Sequence, residues 1–205
     1  VYMNSPVDYM KNFPEDHPYM QLFRSQKAVI CCGQGDWEQP DTTWLLKRIF
    51  EAKHNGVVYY FLDNQYYFKR DGIYGHYDDA ERFAFFSRAV LEIIPHIDWK
   101  PDIIHCNDWQ SALTPLYYSC YYSKQMGYEN IKTVFTIHNI QYQGKYGTEL
   151  LNDVLGIAPE YSNLILYDGL VNFMKAGIEC ANKVTTVSPT YAKEILDPWY
   201  SHGLD

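Results

Sequence analysis

The chain has 205 residues, 47% of them hydrophobic and 20% charged, and carries a net charge of −8. That length supports one domain with a full core, and an acidic surface repels phosphate backbones, so nucleic acid is excluded as an expected partner. No run of about 18 apolar residues occurs, so no membrane-spanning helix is expected.

The first residue is Val1, and Val1-Tyr2-Met3-Asn4-Ser5 has the features of neither a signal nor a transit peptide, so the chain is expected to be cut from a longer protein. Residues 12–18 are turn-rich and polar. Residues 27–32 read as a short strand. Gly33-Gln34-Gly35 lacks the third glycine of a phosphate loop and is not expected to bind a nucleotide. In residues 42–54, Trp44, Leu45, Ile49 and Phe50 repeat at helical steps, so a helix is expected. Residues 57–62 are a continuous apolar run closed by Asp63-Asn64, which reads as a buried strand and a turn. A loop rich in Gly and Tyr spans 66–77. Residues 78–94 predict a helix: Phe83, Phe86, Val90, Ile93 and Ile94 form one apolar face, Asp78 and Glu81 have capping-box spacing, and Pro95 ends it.

Strands and helices then alternate. Residues 102–106, 133–137 and 183–187 read as strands; 108–122, 173–181 and 189–195 read as helices, with a long loop before the second. This order predicts an α/β fold with a Rossmann-like, mainly parallel sheet and helices on both faces. Lys175-Ala176-Gly177 fits close packing of a helix on that sheet. The cysteines, Cys31, Cys32, Cys106, Cys120 and Cys180, are irregularly spaced without a Cys-x-x-Cys, so reduced thiols are expected and no metal site.

Ligands of such sheets bind beyond the carboxyl ends of the strands, where His105, Asn107, Asp108, Trp109, His138, Asn139, Thr186 and Ser188 collect. His138 either bonds a neighbouring loop or faces a ligand, to which an imidazole can donate and accept. Asp108 and Trp109 read either as a helix cap and a core residue or as ligand contacts. Tyr74, flanked by Gly72 and Gly75, is either an exposed loop residue or an aromatic lid. His105 reads as structural. A metal centre of His105, Asp108 and His138 is set aside, because no helical histidine pair or facing carboxylates support it.

Several strings resemble the bacterial glycogen synthases and plant starch synthases: 101–110 (Pro101 to Gln110, with Asn107-Asp108-Trp109), 133–144 (Thr136-Ile137-His138-Asn139 to Gly144), 172–178, 183–195, and 63–86 with Tyr66-Tyr67-Phe68. The resemblance covers about residues 55–205, the expected catalytic-domain portion, with 1–54 as a divergent segment. It implies the N-terminal lobe of a two-lobed GT-B glycosyltransferase. Such an enzyme moves glucose from ADP-glucose to the non-reducing end of an α-1,4-glucan with retention, without cofactor or metal. By position it implies His138 as the catalytic histidine and Asp108, Trp109, Asn139 and Tyr74 as substrate-binding residues. Asn107 stands where the family usually has a histidine and receives no role. The aromatic content, 17% with 20 tyrosines, leaves packing and sugar stacking both open. The family's Lys-Thr-Gly-Gly-Leu loop and its second lobe, with the cations for the diphosphate, are not in the sequence. The isolated chain is therefore expected to be inactive, with the C-terminal lobe of the same protein as its partner. The expected place is the bacterial cytoplasm, or a plastid for a plant source. The alternatives are a non-catalytic glucan-binding module made from the same lobe, and a related enzyme such as sucrose synthase, which the Asn-Asp-Trp-Gln and Ile-His-Asn-Ile-Gln strings disfavour.

Overall fold

The computed structural model describes residues 26–31 and 46–205, with side chains from residue 49. The turn-rich stretch 12–18 and Gly33-Gln34-Gly35 lie outside the described residues. Strands β1 (Gln26–Cys31), β2 (Leu46–His54) and β3 (Val57–Asp63) form an antiparallel sheet in that order. The helix expected over 42–54 is therefore corrected to strand β2 across its described part. The decisive local signal is Asn55-Gly56, which takes φ of 49° and 78° between β2 and β3. Two consecutive positive φ values make the tight turn whose twist matches a hairpin, and pairing from His54–Val57 to Arg48–Asp63 follows from it. The buried reading of β3 is also corrected: Val57, Val58 and Tyr59 are exposed, because this strand lies at the sheet edge.

One helical turn, α1 (Gln65–Phe68), follows, its Tyr67 amide donating to the Asn64 side chain. Helix α2 (Asp79–Glu92) is buried on two sides. Ala80, Phe83, Ala84 and Leu91 enter the main core, while Ala89 and Ile93 pack with Ile49 of β2.

The second sheet is parallel: β4 (Ile103–Asn107), β5 (Lys132–Ile137) and β9 (Lys183–Thr186), in the order β4-β5-β9. The helix expected over 108–122 divides into a 3-10 turn (Trp109–Ser111), α3 (Leu113–Tyr117) and a π turn (Tyr118–Tyr122). The long loop after β5 holds α4 (Leu150–Asp153), a 3-10 segment (Pro159–Leu164) and a small antiparallel sheet of β6 (Lys145–Tyr146), β7 (Leu166–Tyr167) and β8 (Leu170–Asn172). Helix α5 (Phe173–Cys180) is capped by Asn172, and α6 (Pro189–Glu194) by Ser188.

Both crossovers step across the parallel sheet in the same direction, which puts α3 and α5 on one face. Gly177 of α5 marks the contact: a Cβ there would lie 3.0 Å from both Ala112 and the Phe135 ring. On that face Cys106, Phe135 and Ile137 are buried. The other face carries a polar ladder, with His105 Nε2 2.6 Å from Thr136 Oγ1, itself 2.7 Å from Thr185 Oγ1. Ile103 on this face is exposed. The described helices thus cover one side of the sheet.

Candidate active site at the strand ends

Strands β4 and β5 end side by side, with Asn107 in register with Thr136. The first residues beyond each strand, Asp108 after β4 and His138 after β5, therefore leave the same rim as neighbours. Asp108 takes φ 56° and ψ 179°, backbone that glycine adopts freely and that costs another residue about 1–3 kcal/mol. Three amides hold it there: its own N–H donates to the Thr136 carbonyl at 3.0 Å, and its Oδ1 accepts from the His138 N–H at 2.8 Å and, more weakly, from the Asn139 N–H at 3.4 Å. The carboxylate thus ties the loop after β5 to the loop after β4.

His138 and Asn139 are exposed at this rim. The His138 Nε2 lies 3.0 Å from Asn107 Oδ1. An amide oxygen only accepts, so Nε2 donates, and in the neutral ring Nδ1 is the nitrogen with a free lone pair. Asn107 is itself held at both ends by Ser111, whose Oγ accepts from its N–H and donates to its carbonyl, each at 2.7 Å. Asn107, without an assigned role from the sequence, is therefore the residue that orients the imidazole. The Asn139 Oδ1 accepts from the Gln141 N–H at 3.0 Å, leaving its amide NH₂ toward solvent.

Trp109 corrects the expectation of a sugar-facing indole. It is 8% exposed, with Phe83 edge-on at 4.9 Å and Phe173 and Tyr146 each at 6.3 Å. A Cβ on Gly144, where φ is +65°, would come within 2.6 Å of the ring. The indole is core, and its role is to seat the rim loops. The expected capping box of α2 is not formed either. Asp78 makes no capping bond and pairs with Arg70 at 2.7 Å, while Glu81 accepts the Tyr67 hydroxyl.

Tyr74 is 60% exposed on the loop ahead of α2. That loop leads into α2, whose Phe83 meets Trp109 edge-on, and burial first, then the charge of Asp79, raises the pKa of the Tyr146 hydroxyl beside the same indole. His105 bonds within the ladder, as its structural reading expects. Thr186 donates to the Ile137 carbonyl at 2.7 Å, so the end of β9 supplies a bond that holds the rim.

Two buried groups missed in the sequence complete the rim. Asn172 donates to the Gln143 Oε1 at 2.7 Å, and the Gln143 amide donates to the Ile140 and His202 carbonyls. The loop after β5 is thereby latched to the cap of α5. The available signal was Asn172 standing just before an apolar helical run. The described residues contain no group of three or more His, Cys, Asp or Glu that could hold a metal ion, and no helix long and apolar enough to cross a membrane. Burial pushes the thiols of Cys106 and Cys180 up to about 12, and that of Cys120 to about 11.

A family model described as starch synthase catalytic domain matches residues 8–205. A glycogen synthase from Exiguobacterium sibiricum is 54% identical over 162 residues, covering 77% of this chain and 34% of its own length. One from Alkaliphilus metalliredigens is 53% identical over 154 residues, with 74% and 32% covered. Among solved structures, the catalytic domain of starch synthase IV from Arabidopsis thaliana, bound to ADP and acarbose, superposes with a TM-score of 0.69 at 35% identity, covering 78% of this chain and 34% of that one. The chain spans about a third of the length of the curated relatives it matches.

Proposed function

The chain belongs to the starch synthase catalytic-domain family, and from that premise we propose that it forms the site-bearing part of the N-terminal lobe of a retaining glucosyltransferase. In the whole enzyme, the bond from the anomeric carbon of ADP-glucose to its diphosphate breaks. A bond to the terminal 4-hydroxyl of an α-1,4-glucan forms with the same configuration, the hydroxyl proton leaves, and ADP departs. Neither metal nor cofactor takes part. The observation that carries this reading is the meeting of Asp108 and His138 at one rim. Residues 55–205 supply that rim and its supports.

The roles follow from the geometry. His138 presents Nδ1 as an acceptor for a hydroxyl of the transferred glucose, its other nitrogen being engaged by Asn107. The Asn139 amide donates beside it. Asp108 acts by holding both residues in place, and Tyr74 covers the sugar from the loop before α2. The ADP and acarbose bound by the Arabidopsis relative support a nucleotide-sugar donor and a glucan acceptor. The bacterial relatives support a bacterial enzyme, and the cytoplasm is the compartment proposed for it.

Asn107, Asp108, His138 and Asn139 carry no fixed positive charge, whereas a departing diphosphate needs cations placed against it. Those cations come from the second lobe. The test measures labelled glucose passing from ADP-glucose into glycogen. The whole enzyme transfers it and the isolated 205-residue chain does not. Transfer by the isolated chain, or none by the whole enzyme, contradicts the reading.

A further inference from the structure

Arg82 is 2% exposed, on a helix whose acidic start reads in the sequence as an ordinary N-terminus. A buried ion pair is a poor source of stability, since removing two charges from water offsets most of their attraction. The bonds of Arg82 therefore point to another use. Its Nη1 pairs with Asp79 Oδ1. Its Nε donates to the Tyr67 carbonyl at 2.6 Å, and its Nη2 to the Ile73 carbonyl at 3.2 Å. The second oxygen of Asp79 accepts from the Gly75 and His76 amides at 2.5 and 3.1 Å. The guanidinium also lies over the Phe68 and Phe83 rings, at 5.7 and 5.3 Å from their centres. The pair grips the backbone immediately before and immediately after one residue, Tyr74, whose side chain remains in solvent. Gly72 and Gly75, with φ of 93° and 97°, supply the bends that this path requires.

We propose that Arg82, through Asp79, is the positioning residue for Tyr74: a buried clamp that holds the aromatic loop in place at the sugar-binding rim. The inference rests on the reading of Tyr74 as a substrate contact and adds the device that places it. The planar fork of arginine suits the task, because one group reaches two carbonyls and a carboxylate at fixed angles, which an ammonium cannot do. The clamp is covalently remote from the sugar and acts on activity only through Tyr74.

The test is a double-mutant cycle in the whole enzyme, reading kcat and KM for transfer from ADP-glucose to glycogen. Tyr74→Ala and Arg82→Lys each lower kcat/KM by about tenfold, the scale of a misplaced binding group. The double variant falls no further than either single one, to within about twofold, because both remove the same contact. Gly75→Ala provides a second route that leaves the buried pair intact. A Cβ there meets nothing within 4 Å, so it acts only by disfavouring the φ of +97°; it lowers kcat/KM in the same direction, with a loss of stability no larger than that backbone strain accounts for. This variant decides the matter if Arg82→Lys does not fold. Losses that multiply in the double variant, or full activity in Gly75→Ala, overturn the clamp while leaving Tyr74 as a contact. Full activity in Tyr74→Ala overturns the reading of Tyr74 and the clamp with it.

Discussion

The two ends of the parallel sheet are made from the same three strands and handle their polar groups in opposite ways. At the amino end, structure consumes them. The Lys132 amide donates to the Asp102 carbonyl, Asn182 and Thr133 bond each other through two backbone amides, and the Tyr118 hydroxyl sits between the Tyr128 and Ile131 carbonyls. At the carboxyl end, Asp108 holds a strained backbone to tie two loops, and the His138 and Asn139 side chains are left exposed. A positive φ occurs at each end, at Asn130 (73°) and at Asp108 (56°), but at the carboxyl end that backbone ties two loops beside exposed hydrogen-bonding residues, which is what separates a site from a scaffold.

Four experiments break or sharpen this contrast. The largest effect is expected from Gly144→Ala, whose Cβ would enter the Trp109 ring on a backbone of positive φ. Stability should fall by about 3 kcal/mol, read from the denaturant midpoint, since overpacking and φ strain add. His138→Ala should lower transfer by about a hundredfold in the whole enzyme with little change in thermal midpoint, because His138 is exposed. Asn182→Ala at the opposite rim should do the reverse, costing about 1 kcal/mol of stability while leaving kcat and KM alone.

The smallest effect is a pH dependence shared by the sheet and its helices. Burial raises the thiols of Cys106 and Cys180 from 9.0 to about 12. The unfolded chain then loses those protons first as the pH rises. Their contribution is complete below 9.0 and is lost as the pH climbs toward about 12. The thermal midpoint should decline over that window, and less steeply in Cys106→Val.

Much of this architecture could be read from the residues alone, and the reasons for the gaps are local. The alternation from residue 78 onward was legible because α2, β4, β5 and α5 each bury a periodic face. Strand β2 was not, because Trp44, Leu45, Ile49 and Phe50 happen to fall at helical spacing, while the pairing that decides the matter comes from Asn55-Gly56 beyond it. At the rim, Asp108 and His138 were legible as strand-end residues. Trp109 was misassigned because an aromatic after a strand gives no sign of which way it faces; only Phe83, Gly144 and Phe173 enclosing it do. The positive φ of Asp108 leaves no mark in the sequence, since a glycine would have announced it and an aspartate does not. Asp79 reads as part of an ordinary helix start and Arg82 receives no role from the sequence, because their burial depends on a loop that folds back over them.

Asp108→Gly measures the central claim most directly. Glycine accepts the backbone that aspartate strains to hold, while the carboxylate that ties His138 and Asn139 is removed. Strain relief of about 1–3 kcal/mol offsets the lost bonds, so the unfolding midpoint should stay near that of the unsubstituted enzyme while glucose transfer falls by about a hundredfold. Retained transfer, or a loss of activity that only follows a loss of stability, would contradict the account.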